Sequence, residues 1–292
     1  MIATPLTRRA AALRLAALPW LALPAAAALA QTPLGRIEAS HSRAELFAAR
    51  GDLRGGEPLW LALRITPRAG WHSYWKNPGD AGMPTRIVAA QWPPGWRLGP
   101  LQWPAPQRIP VRQLASYGYD GAVVLPFQLF APRTLAPGHV RLPLRVEWLV
   151  CEDSCIAQDG ELMLTLPAQG GAPRADHAGL GSGSPPARLI AAALARVPVD
   201  DAAVQAQAVR RDGRLQVTIA GLPPARGELF IETEAVVEPG PPPALERQGG
   251  RWLWSAPLGA QGPLLAAPAA IPAVWVPADG TRARRLHIRL LR

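Results

Sequence analysis

The chain has 292 residues, with 31 Lys+Arg against 21 Asp+Glu, 34 Pro, 2 Cys and 11 Trp. Apolar residues at 49% and charged residues at 18% exclude a wholly disordered chain. Proline at more than double the usual ~5% argues against long helices, and two cysteines exclude both a disulfide-dense scaffold and a four-thiolate zinc site.

Residues 1–30 read as a secretory signal. Arg8, Arg9 and Arg14 are followed by an apolar run from Leu15, which ends in the small-x-small site Ala28-Leu29-Ala30 before Gln31. A membrane anchor is the competing reading, and Pro19, Pro24 and the cleavage site speak against it. Thr7-Arg8-Arg9 matches a twin-arginine signal only weakly. Cleavage leaves 28 basic against 21 acidic residues. No later stretch holds 18 uninterrupted apolar residues, so no transmembrane helix is expected in the mature chain. An exported protein meets an oxidising compartment, where its two cysteines can pair.

The next elements are strands. Leu59, Leu61, Leu63 and Ile65 alternate with other residues, as do Val123, Leu125, Phe127 and Leu129. Val140 to Val150 gives the longest such run, and Leu162, Leu164 and Leu166 return it. Period two marks strands with one buried face. Asn77-Pro78-Gly79-Asp80, Pro93-Pro94-Gly95 and Pro137-Gly138 read as turns. Short strands with frequent turns predict an all-β fold built on a β-sandwich over residues 31–167.

Residues 168–198 read as a linker ending in one short helix, capped by Ser184, with Pro185 and Pro186 in its first turn. Leu189, Ile190, Ala193, Leu194 and Val197 form its apolar face. Residues 199–292 read as a second, smaller β-sandwich-like domain. Its strands are expected at Leu215–Ile219, Glu228–Thr233, Arg251–Ser255, Ala273–Val276 and Leu286–Leu290, with loops at Glu238–Pro243 and Gln261–Pro272. Thirty of the basic residues are arginine and only Lys76 is lysine, a bias of composition rather than a site. Arg285, His287 and Arg289 alternate with Leu286, Ile288 and Leu290, which reads as a half-buried strand with a solvated basic face. No aromatics interleave with these basic residues, so no nucleic-acid partner is expected.

Cys151 and Cys155 sit between two expected strands. Extended, their Cα atoms would stand roughly 13 Å apart, beyond bridging range. A turn through Glu152-Asp153-Ser154 would let them pair. A ring of about five residues stabilises by roughly 2 kcal/mol, against nearly 5 for a hundred-residue loop. It is a weak staple, and a small exposed ring favours lability. From spacing alone three readings stay open: a redox pair, a structural bridge, and metal binding. Glu152 and Asp153 would raise the pKa of a nearby thiol, which favours an electron donor or relay over a strong oxidant.

Trp71, Tyr74 and Trp75 place three of the chain's aromatics within five residues, beside Lys76 and a turn. They read either as a strand with buried Trp71 leading into a loop, or as a shield or docking surface beside the cysteines. Tyr117-Gly118-Tyr119, followed by Asp120 and Gly121, reads as a second aromatic loop. His72 and His139 could reach the cysteines only through folding.

These stretches form an ordered set: Trp71 to Ile87 with Lys76-Asn77-Pro78-Gly79-Asp80, Gln102-Trp103-Pro104-Ala105-Pro106, Tyr117-Gly118-Tyr119, and Trp148-Leu149-Val150-Cys151-Glu152-Asp153-Ser154-Cys155-Ile156. The set resembles the N-terminal periplasmic module of the DsbD-like transmembrane disulfide reductases, especially the ScsB branch associated with copper tolerance. The match is clear from about Ala39 to Pro167 and looser to Arg292. The resemblance implies an immunoglobulin-like fold and thiol–disulfide exchange by Cys151 and Cys155; with the export signal, a periplasmic location and no cofactor are expected. It implies electron transfer from a membrane domain to periplasmic thioredoxin-like partners. Trp71, Tyr74, Trp75, Tyr117 and Tyr119 are the candidates for a cap or docking surface. The chain lacks the membrane and thioredoxin-like domains, so a membrane disulfide reductase on another chain is expected to supply electrons. Two other functions compete: a non-enzymatic interaction module braced by a structural disulfide, and copper binding by the two cysteines with Met163 or His72.

Overall fold

Most of the sequence alternates between apolar and polar residues, and strands are the result. A computed structural model describes residues 33–89, 91–170, 180, 183–240, 242–267 and 269–291. The expected signal at 1–30 and much of the expected linker lie outside the described residues. Among the described residues, no helix is long and apolar enough to cross a membrane.

The first sheet runs in the order β1 (Gly35–Glu38), β2 (Ser42–Ala48), β4 (Pro58–Pro67), β10 (Val123–Phe130), β7 (Arg97–Leu98). The second runs β3 (Leu53–Arg54), β12 (Cys155–Gln169), β11 (Gly138–Cys151), β5 (His72–Gly79), β9 (Leu114–Asp120), β8 (Gln107–Val111). Strand β6 (Arg86–Ala89) also pairs with β11. The two sheets face each other as an immunoglobulin-like sandwich. Leu61, Leu63 and Ile65 of β4 and Leu144, Val146 and Trp148 of β11 meet in its core, each at most 1% exposed. These are the inward positions of the alternating runs.

The two longest runs form one hairpin. β11 and β12 pair continuously from Gly138↔Ala168 to Cys151↔Cys155. At the other end of β12, Ala168 and Gln169 pair in parallel with β3, which anchors the hairpin's base in the sheet.

Helix α1 (Pro185–Ala195) is as expected at its start: the Ser184 hydroxyl accepts the Ala187 N–H at 3.2 Å and donates to Ala49 O at 3.1 Å. The helix is more than a connector. Ala187 and Ile190 pack on Ala49 and Ala62 at the outer side of the first sheet. Ala62 is thereby buried although its neighbours Leu61 and Leu63 face the sandwich core.

One further sheet runs β16 (Gly227–Ile231), β19 (Ala269–Pro277), β20 (Arg284–Leu290), β14 (Gln205–Arg211), β15 (Arg214–Ala220), β18 (Arg251–Pro257), β17 (Ala244–Gln248). A short β13 (Val199–Asp200) pairs with β20. Leu229 and Trp275 near one end of this sheet share a core with Val217 and Trp254 near the other, so a single curled sheet supplies both walls. The stretch expected as a loop at Gln261–Pro272 instead holds a 3-10 turn (Gly262–Leu264) and the start of β19. Strands β14 and β17 were not visible in the pattern: the inward residues of β14 are Ala206 and Ala208, and β17 is a largely exposed edge. On β20 the basic face is solvated, and Arg285 pairs with Asp200 at 3.1 Å.

Candidate functional site: a disulfide at the tip of a hairpin

β11 ends at Cys151, the chain turns through Glu152, Asp153 and Ser154, and β12 starts at Cys155. The turn brings the two Cα atoms to 4.1 Å, and a disulfide joins the sulfurs. The two residues are directly opposed in register, so their side chains leave the sheet on the same face. Cys151 is 2% exposed, whereas Cys155 is exposed. The Cys155 end of the bond is therefore the end open to solvent.

The strands beside the hairpin decide what surrounds the sulfurs. β5 pairs with β11 at Cys151↔His72 and Val150↔Ser73, and with β9 at His72↔Asp120, Ser73↔Tyr119 and Tyr74↔Gly118. By the period of two, His72 and Tyr74 lie on the face of Cys151. Ser73 and Trp75 lie on the face of Val150, which is the core. The Tyr74 hydroxyl donates to Cys151 Sγ at 2.6 Å and stands 3.5 Å from Cys155 Sγ. Gly82 lies against the Tyr74 ring: a Cβ there would come within 2.3 Å of it, at a backbone φ of +135°. Only glycine lets this segment cover the ring. Gly70, at a backbone φ of +84°, lies beside the exposed Glu152 carboxylate.

Burial raises the Tyr74 phenol above its ordinary value, opposed by a hydrogen bond with the Ser116 side chain. The hydroxyl thus remains a proton donor at neutral pH. His72 stands edge-to-face to Tyr74, with ring centres 5.2 Å apart. Burial lowers its pKa, opposed by the charge of Asp120, so the imidazole is neutral at pH 7. Glu152 and Asp153 are both exposed, and Asp153 is 3.8 Å from Arg112. Exposed charges are screened. The polar group that meets the sulfurs directly is the Tyr74 hydroxyl rather than these acids.

The other expected aromatics are placed differently. Trp71 is half-buried and stacks on His41 at 4.1 Å. Trp75 is fully buried, edge-to-face to Phe230 at 6.2 Å. Tyr117 meets the same Phe230 at 5.0 Å, and Tyr119 donates to Pro104 O at 2.8 Å. Tyr117-Gly118-Tyr119 forms part of strand β9 instead of the expected loop. The signal was present in the alternation itself: both tyrosines face the core, and the outward Gly118 is required because a Cβ would lie 2.0 Å from Ser73 O. Asn77-Pro78-Gly79 likewise belongs to an irregular part of β5 rather than to a free turn.

Of the two histidines left open, folding brings His72 beside Cys151. His139 pairs with Pro167 near the opposite end of the hairpin, about 40 Å along the strand. Met163 pairs with Pro143, eight positions along each strand from the cysteines. Among the described residues no group of three His, Cys, Asp or Glu side chains is arranged to hold a metal ion.

The span that holds Tyr74, Cys151 and Cys155 also carries the likeness to known proteins. Residues 45–167 match the family described as thiol:disulfide interchange protein DsbD, N-terminal. The whole described fold is similar to the N-terminal periplasmic domain of ScsB from Proteus mirabilis, with a TM-score of 0.67 at 19% identity, covering 89% of this chain and 100% of that one. The fold likeness thus reaches beyond the DsbD N-terminal span into the curled sheet. The periplasmic chaperone SfaE matches at a TM-score of 0.22 and 9% identity, covering 85% of this chain and 98% of that one. A search of curated protein sequences gives no match. The match over residues 45–167, which spans the Cys151–Cys155 pair, supports thiol–disulfide exchange at the level of that family.

Proposed function

We propose that this chain is a periplasmic thiol–disulfide exchange protein, which relays electrons from a membrane disulfide reductase on another chain to thioredoxin-like partners. The observation that carries the proposal is the asymmetry of the bond: Cys155 is exposed, while Cys151 is buried under a hydroxyl donor. A donor thiolate attacks Cys155 Sγ, and the bond to Cys151 breaks. The electron pair leaves on Cys151 Sγ, where the Tyr74 O–H is already aimed. A hydrogen bond to a thiolate is stronger than one to a neutral sulfur, so Tyr74 favours the departure. A second donor thiolate then releases Cys155, and both cysteines end reduced. Delivery runs in reverse: the Cys155 thiolate attacks a partner disulfide, and Cys151 resolves the mixed disulfide. The DsbD N-terminal family and the periplasmic location named for the ScsB domain support this reading.

A redox titration in glutathione buffers tests it. An exchange pair equilibrates within the range such buffers span, and the reduced protein transfers its electrons to a thioredoxin-like acceptor. A bridge that stays oxidised throughout is structural, and the interaction-module reading then holds.

A further inference from the structure

Strand β5 loses its partner just after Tyr74. Its pairing with β9 steps from Tyr74↔Gly118 to Gly79↔Ser116, which leaves Trp75, Lys76, Asn77 and Pro78 without opposite residues. Such a break is floppy unless something else takes up its groups. Strand β16 and its exit do so, from beyond the DsbD N-terminal span. Asn77, 3% exposed, donates from Nδ2 to Ile231 O at 2.8 Å across 154 positions of sequence, and its Oδ1 accepts the Gly79 N–H at 3.1 Å. Lys76 Nζ lies 2.6 Å from Glu232 Oε2. Phe230 packs edge-to-face on both Trp75 and Tyr117 and belongs to the sandwich core, although its strand belongs to the curled sheet. Arg108 of β8 adds bonds to Glu228 and to Pro239 O.

We infer that β16 is a positioning element for the exchange site: Phe230 and the Ile231 carbonyl hold the break in β5, and so keep the Tyr74 hydroxyl on Cys151 Sγ. The inference rests on the exchange reading above, and it gives the region after residue 198 a part in the chemistry. Neither Phe230 nor Ile231 contacts a sulfur. Their effect passes through Tyr74, the last paired residue before the break. A hydrogen bond weakens steeply once its geometry is lost, so a small shift of β5 is enough to remove the donor.

The test is a double-mutant cycle on the full chain, reading the rate at which dithiothreitol reduces the oxidised protein. Tyr74→Phe keeps the ring but removes the donor, and is expected to slow reduction about tenfold. Phe230→Ala should slow it toward the same level, while Phe230→Leu, which refills most of the space, should restore much of the rate. In the Tyr74→Phe background, Phe230→Ala should change the rate by less than about twofold, because coupled residues are not additive. Equal slowing in both backgrounds overturns the inference, as does an unchanged rate in a folded Phe230→Ala protein. If that variant does not fold, Asn77→Ser enters the same cycle with the same two outcomes. Failure of the exchange reading looks different: the wild-type bond then yields to dithiothreitol but never to glutathione buffers, and the inference falls with it.

Discussion

Tyr74 and Trp75 are adjacent in the chain and serve opposite sides of one sheet. The hydroxyl of Tyr74 meets Cys151 Sγ at 2.6 Å, while the indole of Trp75 is fully buried against Phe230. The alternation of a strand thus separates a residue at the sulfurs from a residue of the core, in a stretch that reads by composition as one aromatic cluster.

Trp75→Ala is expected to cost about 3–5 kcal/mol of stability, the usual cost of emptying a large aromatic site in a core. Urea unfolding checks the magnitude. Its rates of exchange with a small thiol and with a thioredoxin-like protein should shift together. Opposite shifts of the two rates at unchanged stability would instead make Trp75 a shield of the disulfide.

The two cysteines should differ when each is replaced. Cys151→Ser leaves the exposed Cys155 to attack a partner disulfide with nothing to resolve the product, so a mixed disulfide accumulates. Cys155→Ser leaves only a buried thiol and should trap far less. Non-reducing electrophoresis after mixing with a thioredoxin-like protein distinguishes them, and equal trapping would contradict the exposure argument. Both variants should stay folded, since closing so short a loop contributes only about 2 kcal/mol.

Glu45 makes the first sheet sensitive to acid. It is 1% exposed and receives Arg36 at 3.1 Å, Arg43 at 3.3 Å and Arg64 at 2.7 Å. Burial works to raise its pKa, but the hydrogen bond and charge of Arg64, with Arg43 and Arg36, outweigh it and lower the value. The folded state therefore binds fewer protons than the unfolded one. The stabilisation is full at neutral pH and is lost as pH falls below about 4.5, the ordinary glutamate value. Glu45→Gln should cost about 1–2 kcal/mol at pH 7, since the arginines stay partly solvated, and flatten the acid limb of a stability–pH curve.

His72 acts in a milder pH range. Its pKa is lowered by burial, so below its ordinary value of 6.5 the unfolded chain takes up a proton that the folded chain refuses. Stability should fall as pH drops through that range, until the folded imidazole itself protonates. His72→Phe, which keeps an aromatic ring beside Tyr74, should remove this slope. Denaturation midpoints at pH 7.5, 6.5 and 5.5 would show it as roughly level; a slope like that of the wild type would assign the effect elsewhere.

The sandwich was legible because its walls are built from leucine and valine at strict alternate positions, as in Leu59 to Ile65 and Val140 to Val150. The cysteine hairpin was legible for the same reason, with a turn of Glu, Asp and Ser between its arms. The helix start could be read from Ser184 and the two prolines after it. The contacts that shape the rest of the site could not be read. Asn77 and Ile231, or Phe230 and Tyr117, lie far apart in sequence, and no local pattern encodes their meeting. Strand β9 was hidden by glycine and tyrosine, which also mark loops, although Tyr117 and Tyr119 kept the spacing of a strand.

The disulfide closes a hairpin that backbone pairing has already zipped from Gly138↔Ala168 up to the cysteines themselves. Cutting the sulfur bond releases three turn residues and little else. Amide hydrogen exchange should therefore be the same in the oxidised and reduced proteins along β11 and β12, and differ only around Glu152, Asp153 and Ser154. Under the proposed exchange reaction the oxidation state would change without refolding, so a partner would sense it only by touching the tip.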